Sequence, residues 1–476
     1  MPVLCATSST RLNDAARGLA QQMVFWGHDV KHPDRSLLLR FGFTRSPSTG
    51  LTGTSCYQIP SESGVSELHG PVAAWILSLL KSTKFMENYQ LISCCLFSLV
   101  ATAQGGLISL GGHVDLRWRW EGTNGWTVKA LADSDSENLY DPPDFFLPLS
   151  DKPYAAGDVS NSGARFSQPA SPAFAFTGVE PGQPLWIAVQ GTAGLGEAWP
   201  GFENNQAAST FGSYRMIDPR ITDSTPRPYI TITLESYTPP PGTQSQFSMW
   251  SSVTASPPKV WMSTYDHSLD DQYLFTAGSH THLNWGFSAP GIHRVRLKAS
   301  AFLGPGQTNP TGFSDVETIT FTVGPFADWQ ATHFSSLELD DLGISGPQAD
   351  PDKDGVSNLV EFGFGLNPRK GSTGAEVVGL GLPKMMVVED SGKFYEVVEY
   401  PARRAAGQIR PLVYQPKFSN DLSNWGDLDV ITTESDFLGS TSHLNAVWKK
   451  VSARRAVGLQ RPALGFARVG LIDDSP

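Results

Sequence analysis

The chain has 476 residues, 40% of them hydrophobic and only 17% charged, with 46 Gly, 35 Pro and 13 Trp. That is too apolar for a disordered chain and too rich in turn formers for a mainly helical one, so a mainly β protein of several domains is expected. The net charge of −11 excludes the basic footprint of a nucleic-acid binder and is compatible with cation binding.

Residues 1–85 have weak periodicity and scattered Pro, Ser and Gly, and read as a poorly structured upstream extension of the gene. The four cysteines are Cys5, Cys56, Cys94 and Cys95, so no thiol nucleophile or cysteine-based zinc site lies beyond them. Residues 86–103 read as a signal peptide. The apolar run Leu91–Val100 is far shorter than the ~20 residues that span a bilayer, and Ala101-Thr102-Ala103 has the small-residue cleavage pattern that predicts a mature Gln104. The competing reading is a buried core strand. No second apolar stretch follows, so a secreted or surface location without a transmembrane anchor in the mature chain is expected.

From 104 to 237 the pattern predicts a β domain. His113-Val114-Asp115-Leu116-Arg117-Trp118 alternates with period two, as do Leu185–Val189 and Pro228–Leu234. Pro239-Pro240-Pro241-Gly242 reads as a stiff hinge. Residues 244–325 then predict an immunoglobulin-like β-sandwich, with strands at Gly291–Leu297 and Glu317–Val323. Phe326–Phe334 predicts a short amphipathic helix that opens a calcium module at 326–370. Residues 375–476 predict a small C-terminal β domain, with strands at Lys384–Val388 and Gln408–Phe418.

The sharpest chemical signal is Asp350–Glu361. On the twelve-residue calcium loop, Asp350, Asp352 and Asp354 take positions 1, 3 and 5, and Gly355 takes the sharp turn. The Val356 carbonyl, Asn358 and Glu361 complete a set of oxygens around one point. Calcium is hard and wants 6–8 oxygens, so this spacing suits Ca2+, weakly bound in a lone loop and serving to stiffen a joint. The alternative is a solvated acidic turn.

The second constellation is His280-Thr281-His282, whose imidazoles share one face if the segment is a strand. His113 and Asp115 offer another same-face pair. Together they could hold Zn2+ or another transition metal, with Asp115 as ligand or as an orienting group. Nothing in the sequence brings the segments together, and the competing reading packs the histidines against Trp285 and Trp118. The chain lacks a G-x-S-x-G elbow, a Walker loop, an H-E-x-x-H helix and a strand-borne G-x-G-x-x-G, so no catalysis is expected.

The run His280-Thr281-His282-Leu283-Asn284-Trp285-Gly286-Phe287, with Gly112-His113-Val114-Asp115 and Trp186–Gln190 and Trp199-Pro200-Gly201, resembles the choice-of-anchor M domain and the actinobacterial surface-anchored repeat over about residues 108–325. Asp328–Pro347, the acidic loop and Gly365–Pro368 resemble a thrombospondin type 3-like or EF-hand-like module. With Ser419–Trp425 and Phe466–Val469, they resemble the C-terminal parts of verrucomicrobial exported proteins, whose terminal sorting segment is absent here. These resemblances imply an exported bacterial surface protein, calcium-stiffened, that binds or displays a surface ligand or cell-envelope component. The alternatives are an extracellular transition-metal binder associated with metal uptake, using His113, His280 and His282, and an extracellular polysaccharide hydrolase.

Overall fold

A computed structural model describes the backbone of Val3–Ala6, Gln22–His28, Ser36–Gly42 and Ser55–Gln58 and residues 105–472, apart from 133–138, 253–256, 304–313, 372–376, 406–410, 427–429, 460–464 and a few isolated positions (159, 161, 192, 216–217, 224, 269 and 457). The chain divides into two units, Met1–Leu99 and Val100–Pro476. In the first, the backbone forms two antiparallel pairs, Val3–Ala6 with Ser55–Gln58 and Gln22–His28 with Ser36–Gly42, where little regular structure was expected. The expected signal peptide at 86–103 and its cleavage site lie outside the described residues.

The second unit is mainly β. A five-stranded sheet runs Arg165–Ser167, Pro184–Ala188, Asn284–Phe287, Phe247–Ser251, Lys259–Ser263. Another runs His280–His282, Ala198–Glu203, Gly112–Trp120, Trp126–Ala132, Leu139–Tyr140. A six-stranded sheet runs Gln272–Thr276, Tyr229–Thr238, Gly291–Ala301, Glu317–Val323, Phe145–Leu149, Ile108–Ser109.

These sheets correct the expected boundary between 104–237 and 244–325. Tyr229–Thr238 lies between two strands from beyond residue 244, and His280–His282 adds to a sheet otherwise built before it. One apolar core joins the two segments, with Val114, Leu116, Trp118 and Phe202 buried in the same cluster as Phe247, Trp285 and Phe321. The physical reason is that neither segment can cover its own apolar faces. Alternating strands hide their apolar side only once the other segment's strands are in place.

The alternation predicted at residues 113–118 is realised in Gly112–Trp120. Val114, Leu116 and Trp118 are fully buried, so His113, Asp115 and Arg117 point to the opposite face. The run from His280 to Phe287 spans two sheets. His280–His282 pairs in one and Asn284–Phe287 in another, with buried Leu283 at the crossing.

After Glu317–Val323 the chain enters the helix Pro325–His333, then the acidic loop and the helix Asn358–Phe364. Lys384–Asp390, Lys393–Arg403, Trp448–Arg455 and Val430–Ser435 form an antiparallel sheet, and Val413–Ser419 pairs with Phe466–Ile472. The second helix joins two cores: Phe362 packs with Trp329 and Phe334, and Phe364 packs with Tyr400 and Phe418. No helix among the described residues is long and apolar enough to cross a membrane.

Candidate metal centre

Three neighbouring strands place the four nitrogen and oxygen donors. In the central strand, Gly201 stands opposite Asp115 on one side and His282 on the other. Trp199 stands opposite His113, and Glu203 opposite His280 and Arg117. Strands lie about 4.8 Å apart, so side chains from the two outer strands must reach across about 10 Å. They meet above Gly201 because that residue has no side chain. A Cβ there would sit 2.7 Å from His282 Cε1 and 2.8 Å from Asp115 Oδ1.

His113, Asp115, His280 and His282 thus converge from positions up to 169 residues apart. The three Nε2 atoms are 2.9 Å (His113–His282), 2.9 Å (His280–His282) and 3.3 Å (His113–His280) from one another. Asp115 Oδ1 lies 2.9 Å from His280 Nε2, 3.7 Å from His113 Nε2 and 3.8 Å from His282 Nε2. A tetrahedral ion with bonds of about 2.0–2.1 Å holds its donors about 3.3–3.4 Å apart, and the six observed edges bracket that value.

Protons alone serve this arrangement poorly. A neutral imidazole has one N–H, so three Nε2 atoms facing one point cannot all donate and accept among themselves. Protonating them instead would crowd like charges at about 3 Å. A single divalent cation satisfies all four donors at once. Burial holds the Asp115 carboxyl above its ordinary range, an effect that His113 and His280 oppose and Glu203 reinforces.

Trp199 is the wall of the site. Its ring stacks on His282 at 4.4 Å and tilts against His113 at 5.0 Å, and its indole N–H donates to the Gln190 carbonyl. Trp118 and Trp285, the packing partners considered from sequence, are buried in the core instead. Glu203 shares the face, but Arg117 holds it in two hydrogen bonds of 2.6 and 3.2 Å, which keeps a fifth donor engaged elsewhere. Sequence reasoning missed the roles of Gly201, Glu203 and Arg117. The alternation of Gly112–Trp120 put Arg117 on the ligand face, but only the register brings Gly201 and Glu203 beside it.

The acidic loop forms the second cluster. Asp350, Asp352 and Asp354 each bring an oxygen within 4.8 Å of the others. Asp350 accepts from the backbone N–H groups of Asp354 and Gly355, and Asp354 from that of Val356. Positive φ at Lys353 (64°) and Gly355 (89°) wraps the chain around these carboxylates.

Asn358 and Glu361 enter from the following helix, both fully buried. The Asn358 amide donates to the Ile344 and Gly346 carbonyls, which fixes its orientation and leaves Oδ1 without a protein donor among the described residues. Both Glu361 carboxylate oxygens, Asp352 Oδ2 and Asp354 Oδ2 are likewise buried without a hydrogen bond. Burial, followed by Asp352, Asp354 and Asp350, pushes the Glu361 carboxyl up to about 8. Buried carboxylates without donors are costly, and a cation among them removes that cost.

No family model matches the chain, and no curated protein does. Among solved structures it is similar to a marsupial T cell receptor at 8% identity, with a TM-score of 0.11. That match covers 48% of this chain and spans only 52% of the receptor chain, and a likeness of this size carries no argument.

Proposed function

We propose that this chain is a transition-metal-binding protein that takes one zinc-class ion at His113, Asp115, His280 and His282. The observation that carries the reading is the set of six donor–donor distances, 2.9–3.8 Å, around one point. Three imidazoles and one carboxylate suit a borderline ion such as Zn2+ in tetrahedral geometry. Four protein donors fill that shell, which suits holding an ion rather than hydrolytic chemistry at an open position.

Calcium in the Asp350–Glu361 loop has a structural role in this reading. The loop runs straight into the helix whose Phe362 and Phe364 pack in separate cores, so ion binding there stiffens the joint. The leader-like pattern before Gln104 supports export, and the resemblance to surface-anchored repeats supports a place at the bacterial envelope. Metal capture outside the cytoplasm accounts for the two metal sites better than display of a surface ligand alone.

The test is elemental analysis and calorimetric titration of the full chain purified without chelator. One zinc per chain is expected, lost from His113→Ala and retained by Glu361→Gln. Absence of zinc, copper and manganese, together with no heat on titrating Zn2+, would overturn the proposal.

A further inference from the structure

We infer that His280 is the exchangeable ligand of the histidine centre, so that metal is loaded and removed by substitution at its position while His113, Asp115 and His282 retain it. The inference rests on the metal-binding reading above and adds how the site is filled and emptied.

The four donors are unequally held. The His280 side chain is 47% exposed, against 16% for His113 and 9% for both His282 and Asp115. His280 begins a strand of three residues at the outer edge of its sheet, the least restrained position in the cluster. Among the described residues its imidazole has hydrogen-bond and ring partners only in the other three ligands. His282 and His113 are both packed on Trp199, and His282 also fills the space above Gly201. Turning His280 outward therefore breaks one metal bond and only edge-on contacts with two other ligand rings, whereas turning His282 outward also unstacks it from an indole.

The exchange step balances simply. The metal–Nε2 bond to His280 breaks and His280 leaves as a neutral imidazole. An incoming neutral imidazole, from a small chelator or from an acceptor's side chain, forms the replacement bond, so charge and proton count are unchanged. Arg117 keeps Glu203 from taking the vacated position, since it engages both oxygens of that neighbouring carboxylate. The acceptor chemistry this fits is an exposed histidine donor on another molecule.

The test uses the full chain loaded with Co2+, whose visible absorption reports four-coordinate geometry, and with Zn2+ for release into an excess of chromogenic chelator. Wild-type release is expected to accelerate with chelator concentration. His280→Ala is expected to keep bound metal with affinity lowered by more than the roughly 10–100-fold that loss of a group merely supporting a ligand costs. Free imidazole should restore its cobalt spectrum. His282→Ala, and His113→Ala as a second packed ligand, should lose metal with no rescue by imidazole.

His280→Ala as empty as His282→Ala, or equal imidazole rescue of both, overturns the inference and leaves the metal-binding reading standing. A wild-type chain that takes up neither ion overturns both.

Discussion

The histidine centre and the acidic loop both gather polar donor atoms around one point, by opposite routes. The acidic loop draws its donors from twelve consecutive residues, and its geometry follows from two left-handed backbone positions and the start of a helix. The histidine centre draws its four donors from two segments of chain whose register is set by a third strand bearing a glycine. The loop can form as soon as its own segment folds. The histidine centre exists only when three strands are paired in one register, and a slip of one residue would turn His113 and Asp115 into the core.

The largest expected effect separates the two sites outright. His282→Ala should abolish stabilisation by zinc, worth about 4 kcal/mol at a thousandfold excess over the dissociation constant. Stabilisation by calcium should be unchanged. Melting curves of the full chain with each ion check this, and loss of both responses together would mean that the two sites are not independent.

A smaller effect tests whether the central strand governs the histidine centre without donating to it. Gly201→Ala removes no ligand, yet its Cβ would sit 2.8 Å from Asp115 Oδ1 and push it and His282 off the common point. Zinc affinity should fall about 10–100-fold with calcium affinity unaltered. Titration showing wild-type zinc affinity would remove the glycine from the account.

Smaller still is the loop's own contribution. Glu361→Gln should lose calcium stabilisation of about 1.4 kcal/mol at a tenfold excess over the dissociation constant, while zinc uptake stays at one per chain. A calcium response surviving in this variant would place the ion elsewhere.

The last prediction concerns pH. In the metal-free chain the Glu361 carboxyl is raised from 4.5 to about 8, so its share of stability is fully present below about pH 4.5 and is lost as pH rises through about 8. The melting temperature without calcium should therefore fall between pH 5 and 8 by more in the wild type than in Glu361→Gln. Calcium favours the ionised carboxylate and should flatten that fall. Identical pH profiles for the two proteins would count against this account of the buried carboxyl.

Much of the fold was legible where local pattern is enough. The period-two alternation located Gly112–Trp120 and told which face of it is buried, and Glu317–Val323 is a strand where one was expected. The helix Pro325–His333 matched its expected place. The pairing of His280 with His282 on one face was legible too, because side chains alternate along any strand. The boundary at residues 237–244 was misleading. Pro239–Gly242 is a turn between strands of one body, and a proline-rich turn carries no information about which sheet each neighbour joins.

By itself the sequence determined a mainly β protein, a twelve-residue oxygen-rich loop and two histidine-bearing strands, since each of these depends on spacings of a few residues and on backbone sterics. Only the tertiary structure decided that the two histidine strands flank Ala198–Glu203, that Trp199 and Gly201 face the ligands, and that His280 alone among the four is largely exposed. Strand order and register are settled by burying one shared core across distant segments, and that free energy belongs to the whole sheet rather than to any stretch of it.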